Sequence, residues 1–158
     1  MSHDTKTLAE QVVRAFEARD IESMSALLAD DVRLEDVPLG AHVGRHAVVE
    51  KITDFFGKAS TYRWEQQRLI AQGSTAIVER TSHIVLGGKE IRLPMVVILE
   101  FDANGKLTLF KDYFDLQTLE RQLARRRGRR PCRAASLGTA LVHRDDRCTC
   151  SSERSAQP

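Results

Sequence analysis

The sequence predicts an α+β domain in which a curved, mixed but mostly antiparallel sheet is covered by N-terminal helices and closes into a cone-shaped α+β barrel. Apolar residues recur at helical spacing in three segments before residue 57. From Gly57 onward the period changes to two, as in strands whose faces see different environments. Short turn signals then part the strands so closely that consecutive strands must run antiparallel, in a meander.

Thr7-Leu8-Ala9-Glu10 has the pattern of a capping box. Leu8, Val12, Val13 and Phe16 follow on one face, so a first helix is expected to end near Arg19. Asp20 caps a short second helix with Ile21, Met24, Leu27 and Leu28 as its apolar face. Asp30-Asp31 ends that helix, and Val32–Asp36 reads as a short strand. Pro38, Gly40 and Gly44 mark the next stretch as a loop. A third helix over Arg45–Phe56 presents Val48, Ile52, Phe55 and Phe56 on one side.

Strands follow over Tyr62–Ala71, Thr75–Leu86, Ile91–Phe101 and Leu107–Phe114. They are parted by Gln72-Gly73-Ser74, Gly87-Gly88 and Asp102–Gly105. Leu116–Leu123 closes the domain as a helix. A strongly bent sheet under a layer of helices encloses a cone, and the open end of a cone is a natural pocket.

The 158 residues are 42% hydrophobic, which suits an ordinary globular domain that buries a core without disulfides or a structural metal. Residues 1–123 are read as that domain, and residues 124–158 as a basic, disordered extension without apolar period. The nine Arg and three acids from Arg125 onward leave the body with a net charge of −4 within an overall +2. A mildly acidic body argues against nucleic acid as a partner of the folded part. All three cysteines lie in the extension, and Cys148-Thr149-Cys150 is too tight for a structural zinc site. With only Cys132 and His143 to complete a ligand set, the thiols read as reduced and idle. No apolar run approaches the roughly 18 residues that cross a bilayer. The start, Met1-Ser-His-Asp-Thr-Lys6, does not resemble a secretory signal, so a cytoplasmic location away from membranes is expected.

The element order, Leu28-Ala-Asp-Asp-Val-Arg-Leu-Glu-Asp36 and Asn104-Gly-Lys-Leu-Thr-Leu-Phe-Lys-Asp-Tyr-Phe-Asp115 together resemble the nuclear-transport-factor-2-like superfamily. Val78-Glu-Arg80-Thr-Ser82 and Lys111-Asp112-Tyr-Phe-Asp115 look most like the limonene-1,2-epoxide hydrolases, and the resemblance spans about residues 7–123. In those enzymes an Arg and two Asp form a charged row, helped by a Tyr and an Asn that hold water. The resemblance assigns Arg80 to the Arg and Asp112 to the water-activating Asp. Ser82 stands in place of the acid Asp, Leu34 in place of the Tyr and Asp36 in place of the Asn.

The segment Leu34-Glu-Asp36-Val-Pro-Leu-Gly40 is also similar to one that carries the general base in ketosteroid isomerases and an acid in epoxide-opening polyether cyclases. In the cyclases a second acid falls near Glu65. The isomerase likeness stops at the oxyanion donors, which Val12 and Val97 replace here.

Opening an epoxide requires a proton for the leaving oxygen and a base for the nucleophile, and two carboxylates whose pKa values are pushed apart can supply both. Arg80 and Ser82 share one strand face, and Asp36 and Asp112 come from other strands. An Arg keeps one Asp ionised while burial raises the other, which casts Asp36 as the group that replaces the missing acid. The candidate catalytic residues are therefore Asp36, Arg80 and Asp112, with Leu34, Trp64, Ser82 and Phe114 against the substrate.

Each residue also has a structural alternative. Arg80–Asp112 can be a buried ion pair that fixes the sheet, Asp36 a strand end before a turn, Ser82 a hydrogen-bond filler, and Trp64 core. His83 faces away from Ser82, and Glu65 is the neighbour of an inward residue.

The expected function is cofactor-free, metal-free opening of an epoxide on an apolar small molecule. One rival is an isomerase or aldol-type cyclase of the SnoaL-like branch with Asp36 as carbon base, and another is a non-catalytic binding or assembly module. A homodimer through the outer sheet face is expected as well, because Ile91–Leu99 carries apolar residues at both parities.

Overall fold

The computed structural model describes residues 4–124. The basic extension and its three cysteines therefore lie outside the described residues, apart from Ala124, which closes the last helix.

The chain opens with α1 (Thr5–Ala18) and α2 (Ile21–Leu27). The cap of α1 is Asp4, not Thr7. The Asp4 carboxylate accepts from the backbone N–H groups of Lys6 and Thr7, and the Thr7 hydroxyl donates to it at 2.6 Å. A carboxylate at the N-cap satisfies two of the first turn's orphan donors, so Thr7 becomes a support within that turn. Asp20 caps α2 as expected, accepting from Ser23 N at 3.0 Å.

Strand β1 spans Leu28–Asp36, so it begins four residues earlier than the sequence pattern suggests. Asp30 and Asp31 do not stop it. Its pairing register shifts between Leu28 and Arg33, and this irregularity lets both acids stay in water while Leu28 and Val32 are buried. Strand β2 (Gly40–Val43) runs back antiparallel along β1 in the stretch read as a loop. All four of its residues are exposed, so it has no burial period from which it could be recognised. Gly44, at φ +90, ends it and donates to Val32 O at 2.8 Å, a conformation that L side chains resist. Helix α3 (Arg45–Lys58) starts immediately afterwards.

The meander follows as β3 (Ala59–Gln72), β4 (Thr75–Leu86), β5 (Lys89–Phe101) and β6 (Leu107–Phe114), and α4 (Leu116–Ala124) packs back on β5. The sheet order is β2-β1-β6-β5-β4-β3, with β1 and β6 parallel and every other pair antiparallel. The expected α+β architecture is thus present.

Strand β5 shows why the sheet has an inner and an outer face. Ile91, Leu93, Met95, Val97, Leu99 and Phe101 are buried, whereas Arg92, Pro94, Val96 and Glu100 between them are exposed. Helices α1 and α3 cover the inner face. Phe16 of α1 is central to that contact, its ring centroid 5.0 Å from Phe110, 5.5 Å from Trp64 and 5.9 Å from Phe56. On the outer face Ile70, Ile77 and Ile98 stand opposite one another on three neighbouring strands, with Val96 opposite Tyr113 beside them. Ile70 is 62% exposed there.

Because Phe16 joins α1 to α3 and the sheet through its ring contacts, Phe16→Ala is expected to cost about 3–5 kcal/mol. Urea unfolding monitored by the fluorescence of Trp64 measures this, and a loss below about 1 kcal/mol would show that the aromatic cluster does not hold α1.

Candidate functional site

The inner face of β4 presents Val78, Arg80, Ser82 and Ile84 in succession, all of them buried. Arg80 is a long cation on a face otherwise built for apolar packing, and its side chain is 0% exposed. Such a charge persists only when it is partnered. Arg80 Nη2 donates to both oxygens of Asp112, at 2.6 and 2.7 Å, and Nη1 donates to the Tyr62 hydroxyl at 3.3 Å. The guanidinium also lies over the Trp64 ring, 3.5 Å from its centroid. A desolvated cation on an indole face contributes about 2 kcal/mol. Arg80 Nε and Trp64 Nε1 are buried without hydrogen-bond partners among the described residues, so the stacking is bought at the cost of two orphan donors.

Asp112 reaches this group because β6 pairs on one side with β5, where Val97 is its partner, and on the other with β1, where its partner is Asp36. Paired residues of a parallel ladder point to the same face, so both carboxylates turn inward from adjacent strands. Burial pushes Asp112 up to about 6, with Arg80 holding it lower and the Asp36 charge adding to the rise. Burial also raises Asp36, against the pull of Lys51, His42 and Arg80. Lys51 Nζ stands 3.9 Å from Asp36 Oδ2. Arg80 therefore does not by itself restore an ordinary carboxylate at Asp112; desolvation outweighs it, and both acids are shifted upward.

Asp36 and Asp112 open onto a cavity of about 230 Å³ between the sheet and the helices. Its walls are largely apolar and include Leu34, Phe55, Leu93 and Phe114, with Lys51 and Tyr62 among the polar lining. Of the residues expected against a substrate, Leu34 and Phe114 line this space. Trp64 lies beneath Arg80 in the core. Ser82 is 0% exposed and donates to Met95 Sδ at 3.2 Å, so its hydroxyl is part of the packing behind the cavity. Glu65 is on the outer face, where its carboxylate is 2.7 Å from His83 Nε2.

Lys51 and Tyr62 were not singled out in the sequence, although each carries a signal. Lys51 lies three residues after Val48 and four before Phe55, on the apolar face of α3, and Tyr62 shares its strand face with Trp64. Among the described residues no group of three or more His, Cys, Asp or Glu is arranged to hold a metal ion. No helix among them is long and apolar enough to cross a membrane.

The family model of the SnoaL-like domain matches residues 9–110. The chain belongs to the SnoaL-like domain family. This SnoaL-like protein is 25% identical over 116 residues to epoxide hydrolase EphG of Mycobacterium tuberculosis, in a match covering 73% of the chain and 76% of EphG. The structure of an M. tuberculosis LEH-like epoxide hydrolase superposes with a TM-score of 0.68 at 24% identity, covering 75% of this chain and 88% of that one. A Shewanella denitrificans protein of the SnoaL-like polyketide cyclase type gives 0.71 at 20% identity, covering 75% and 96%. At these identities the structural matches carry the fold, which agrees with the nuclear-transport-factor-2-like architecture expected from the sequence.

The raised Asp112 carboxyl has a pH signature. An unfolded Asp titrates near 3.9, so a native group at about 6 binds its proton more tightly when folded. Its contribution to stability is full below about pH 4 and is lost as pH rises through about 6. Carbon-detected NMR of the Asp112 carboxyl is expected to show a midpoint near 6; a midpoint below 4 would mean that Arg80 dominates over burial.

Proposed function

We propose that this protein is a cofactor-free enzyme that opens an epoxide on an apolar small molecule. Asp112 takes a proton from the attacking water or hydroxyl, and Asp36 gives one to the leaving oxygen. The observation that carries this reading is the pairing of Asp36 with Asp112 across adjacent parallel strands, both raised by burial and both facing one apolar cavity. Two interacting carboxylates titrate as a pair and can hold a single proton between them. Arg80 donates to both Asp112 oxygens, which opposes a proton there, so this reading assigns the shared proton to Asp36 and requires that contact to outweigh, with substrate bound, the burial that raises Asp112 to about 6. The nucleophile's oxygen bonds to a ring carbon as the C–O bond breaks, the electron pair stays on the ring oxygen, and the proton from Asp36 neutralises it. Kinship with EphG supports the choice of reaction.

A second reading has an observation of its own. Arg80 occupies both oxygens of Asp112, whereas among the described residues the ion-pair partner of Asp36 is Lys51, at 3.9 Å, so Asp36 is the carboxylate freer to act as a carbon base in an isomerase or cyclase. Against it, Val12 and Val97, at the two positions where the isomerase likeness calls for oxyanion donors, are fully buried apolar residues. A binding module without chemistry would use the same cavity and leave the raised carboxylates idle.

We also propose a homodimer through the outer sheet face, centred on the Ile70–Ile77–Ile98 row and the Val96–Tyr113 pair. Apolar side chains aligned across several strands are a contiguous surface that water covers poorly.

Turnover of a panel of apolar epoxides in ¹⁸O-labelled water is expected to yield labelled diol. Asp36→Asn should lower that turnover by roughly 10²-fold or more with little change in melting. Asp112→Asn should abolish it and also cost about 3–5 kcal/mol, because Arg80 is then buried without its counter-charge. Full activity of Asp36→Asn would sink the paired-acid mechanism, and proton exchange into a ketone in place of epoxide turnover would favour the isomerase reading. For assembly, light scattering at micromolar concentration should give the mass of two chains, and a strict monomer would remove the dimer.

A further inference from the structure

The cavity holds one polar group for which the paired-carboxylate mechanism has no use. Tyr62 lines the cavity, and its ring is fixed edge-on against Phe55, with centroids 5.3 Å apart and planes at 86°, and against Trp64, at 6.2 Å and 83°. Its hydroxyl oxygen accepts from Arg80 Nη1 at 3.3 Å, and Ser82 and Trp64 are hydrogen-bonding neighbours that, like Arg80, favour charge on that oxygen. A phenol whose oxygen already accepts from a cation has one thing left to offer, its own proton, in a direction away from Arg80. Burial raises the phenol's pKa and so keeps the proton on it, while the Arg80 charge, pulling the other way, polarises the O–H. Meanwhile Ser82 cannot reach a ligand, since its hydroxyl is buried and spent on Met95.

We propose that the Tyr62 hydroxyl is the hydrogen-bond donor that anchors the polar oxygen of the bound substrate. The inference rests on the reading of the cavity as a pocket for an apolar substrate, and it narrows the substrate class to molecules with one acceptor oxygen (epoxide, ketone or ether) set in a hydrocarbon frame. Arg80 thereby serves both ends of the reaction. Its Nη2 holds the base Asp112, and its Nη1 orients the donor for the oxygen on which negative charge develops. During epoxide opening, Tyr62 keeps its proton and Asp36 transfers one; the phenol only strengthens its hydrogen bond as the electron pair arrives on the ring oxygen. Tyr62 touches the substrate in this account and is a catalytic residue, whereas Arg80 acts through it and through Asp112.

The test separates the anchor from the chemistry. A carbonyl-¹³C cycloalkanone is bound to the wild-type protein, to Tyr62→Phe and to Asp36→Asn, and the carbonyl stretch is read by infrared difference spectroscopy beside a melting curve for each variant. The wild type is expected to lower the stretch relative to the ketone in hydrocarbon solvent, Asp36→Asn to keep that shift, and Tyr62→Phe to lose it while retaining the ring packing. With an epoxide that turns over, Tyr62→Phe should reduce kcat by roughly 10²-fold. Replacing tyrosine by a fluorinated, more acidic tyrosine provides a second variant that keeps the hydroxyl, and it should deepen the shift. A shift that survives in Tyr62→Phe, one that disappears in Asp36→Asn, or a ketone that the wild type does not bind would each overturn the proposal. If the shift follows Tyr62 but no epoxide is opened, the anchor stands and the epoxide reading falls.

Discussion

The ion pair between Arg80 and Asp112 is the constraint around which the rest of the domain is arranged. A guanidinium with no solvent exposure is tolerable only with a carboxylate at hydrogen-bond distance and a polarisable face beneath it, and Asp112 and Trp64 supply these from different strands. The pair spans β5, which lies between β4 and β6 in the sheet, so it ties together the two strands that flank the centre of the cone. Met95 of β5 fits between them, its sulfur within 3.7 Å of Arg80 and 3.2 Å of the Ser82 hydroxyl. Replacing any of these side chains disturbs the others, because the interior offers no water to take over a lost contact.

The same pair sets the electrostatics of the cavity. Asp112 is buried more deeply than Asp36, yet it has the closer counter-ion, Arg80 at 2.6 Å against Lys51 at 3.9 Å for Asp36. Two acids in one apolar space oppose each other's ionisation, and their environments differ enough to give them different roles. The parallel pairing of β1 with β6 makes this possible. An antiparallel closure would set Asp36 against a different residue, whereas the observed register sets it opposite Asp112 and sets Leu34 opposite Phe110, both inside the cone. A family that contains hydrolases, cyclases and isomerases is consistent with such a site, since the scaffold fixes an apolar volume and leaves the polar groups at its floor free to change.

The two faces of the sheet carry different burdens. The inner face is largely apolar; Arg80, Ser82 and Asp112 interrupt it, and of these Asp112 reaches the cavity. The outer face mixes ion pairs, such as Arg68–Glu79 at 3.4 Å, with an isoleucine row in which Ile70 and Ile77 are exposed among the described residues. Polar rims around an apolar centre are the usual build of a recognition surface, and it is on this ground that the dimer is proposed through the outer face.

The sequence alone determined the order of every element but β2 and named the candidates for the site. Hydrophobic period, Asp20 as a cap, and the Gly87-Gly88 and Asp102–Gly105 turns are local signals, and they led to the three helical segments, the four meander strands and the closing helix. Arg80, Asp112 and Asp36 were singled out by the resemblance to epoxide hydrolases, and the strand period added only that Arg80 and Ser82 share a face. Strand β2 was not legible, because an edge strand exposed on both faces leaves no period. Tertiary structure decided what pairing and distance decide: that Asp36 meets Asp112, that Trp64 supports Arg80 instead of a ligand, that Ser82 faces Met95, and that Glu65 turns outward to His83. It also brought Lys51 and Tyr62 to the cavity from elements whose local patterns mark them only as members of an apolar face. Local sequence constrains which face a side chain takes, but the partner it meets there depends on strands far away in the chain, and burial shifts a carboxylate only once those strands have closed around it.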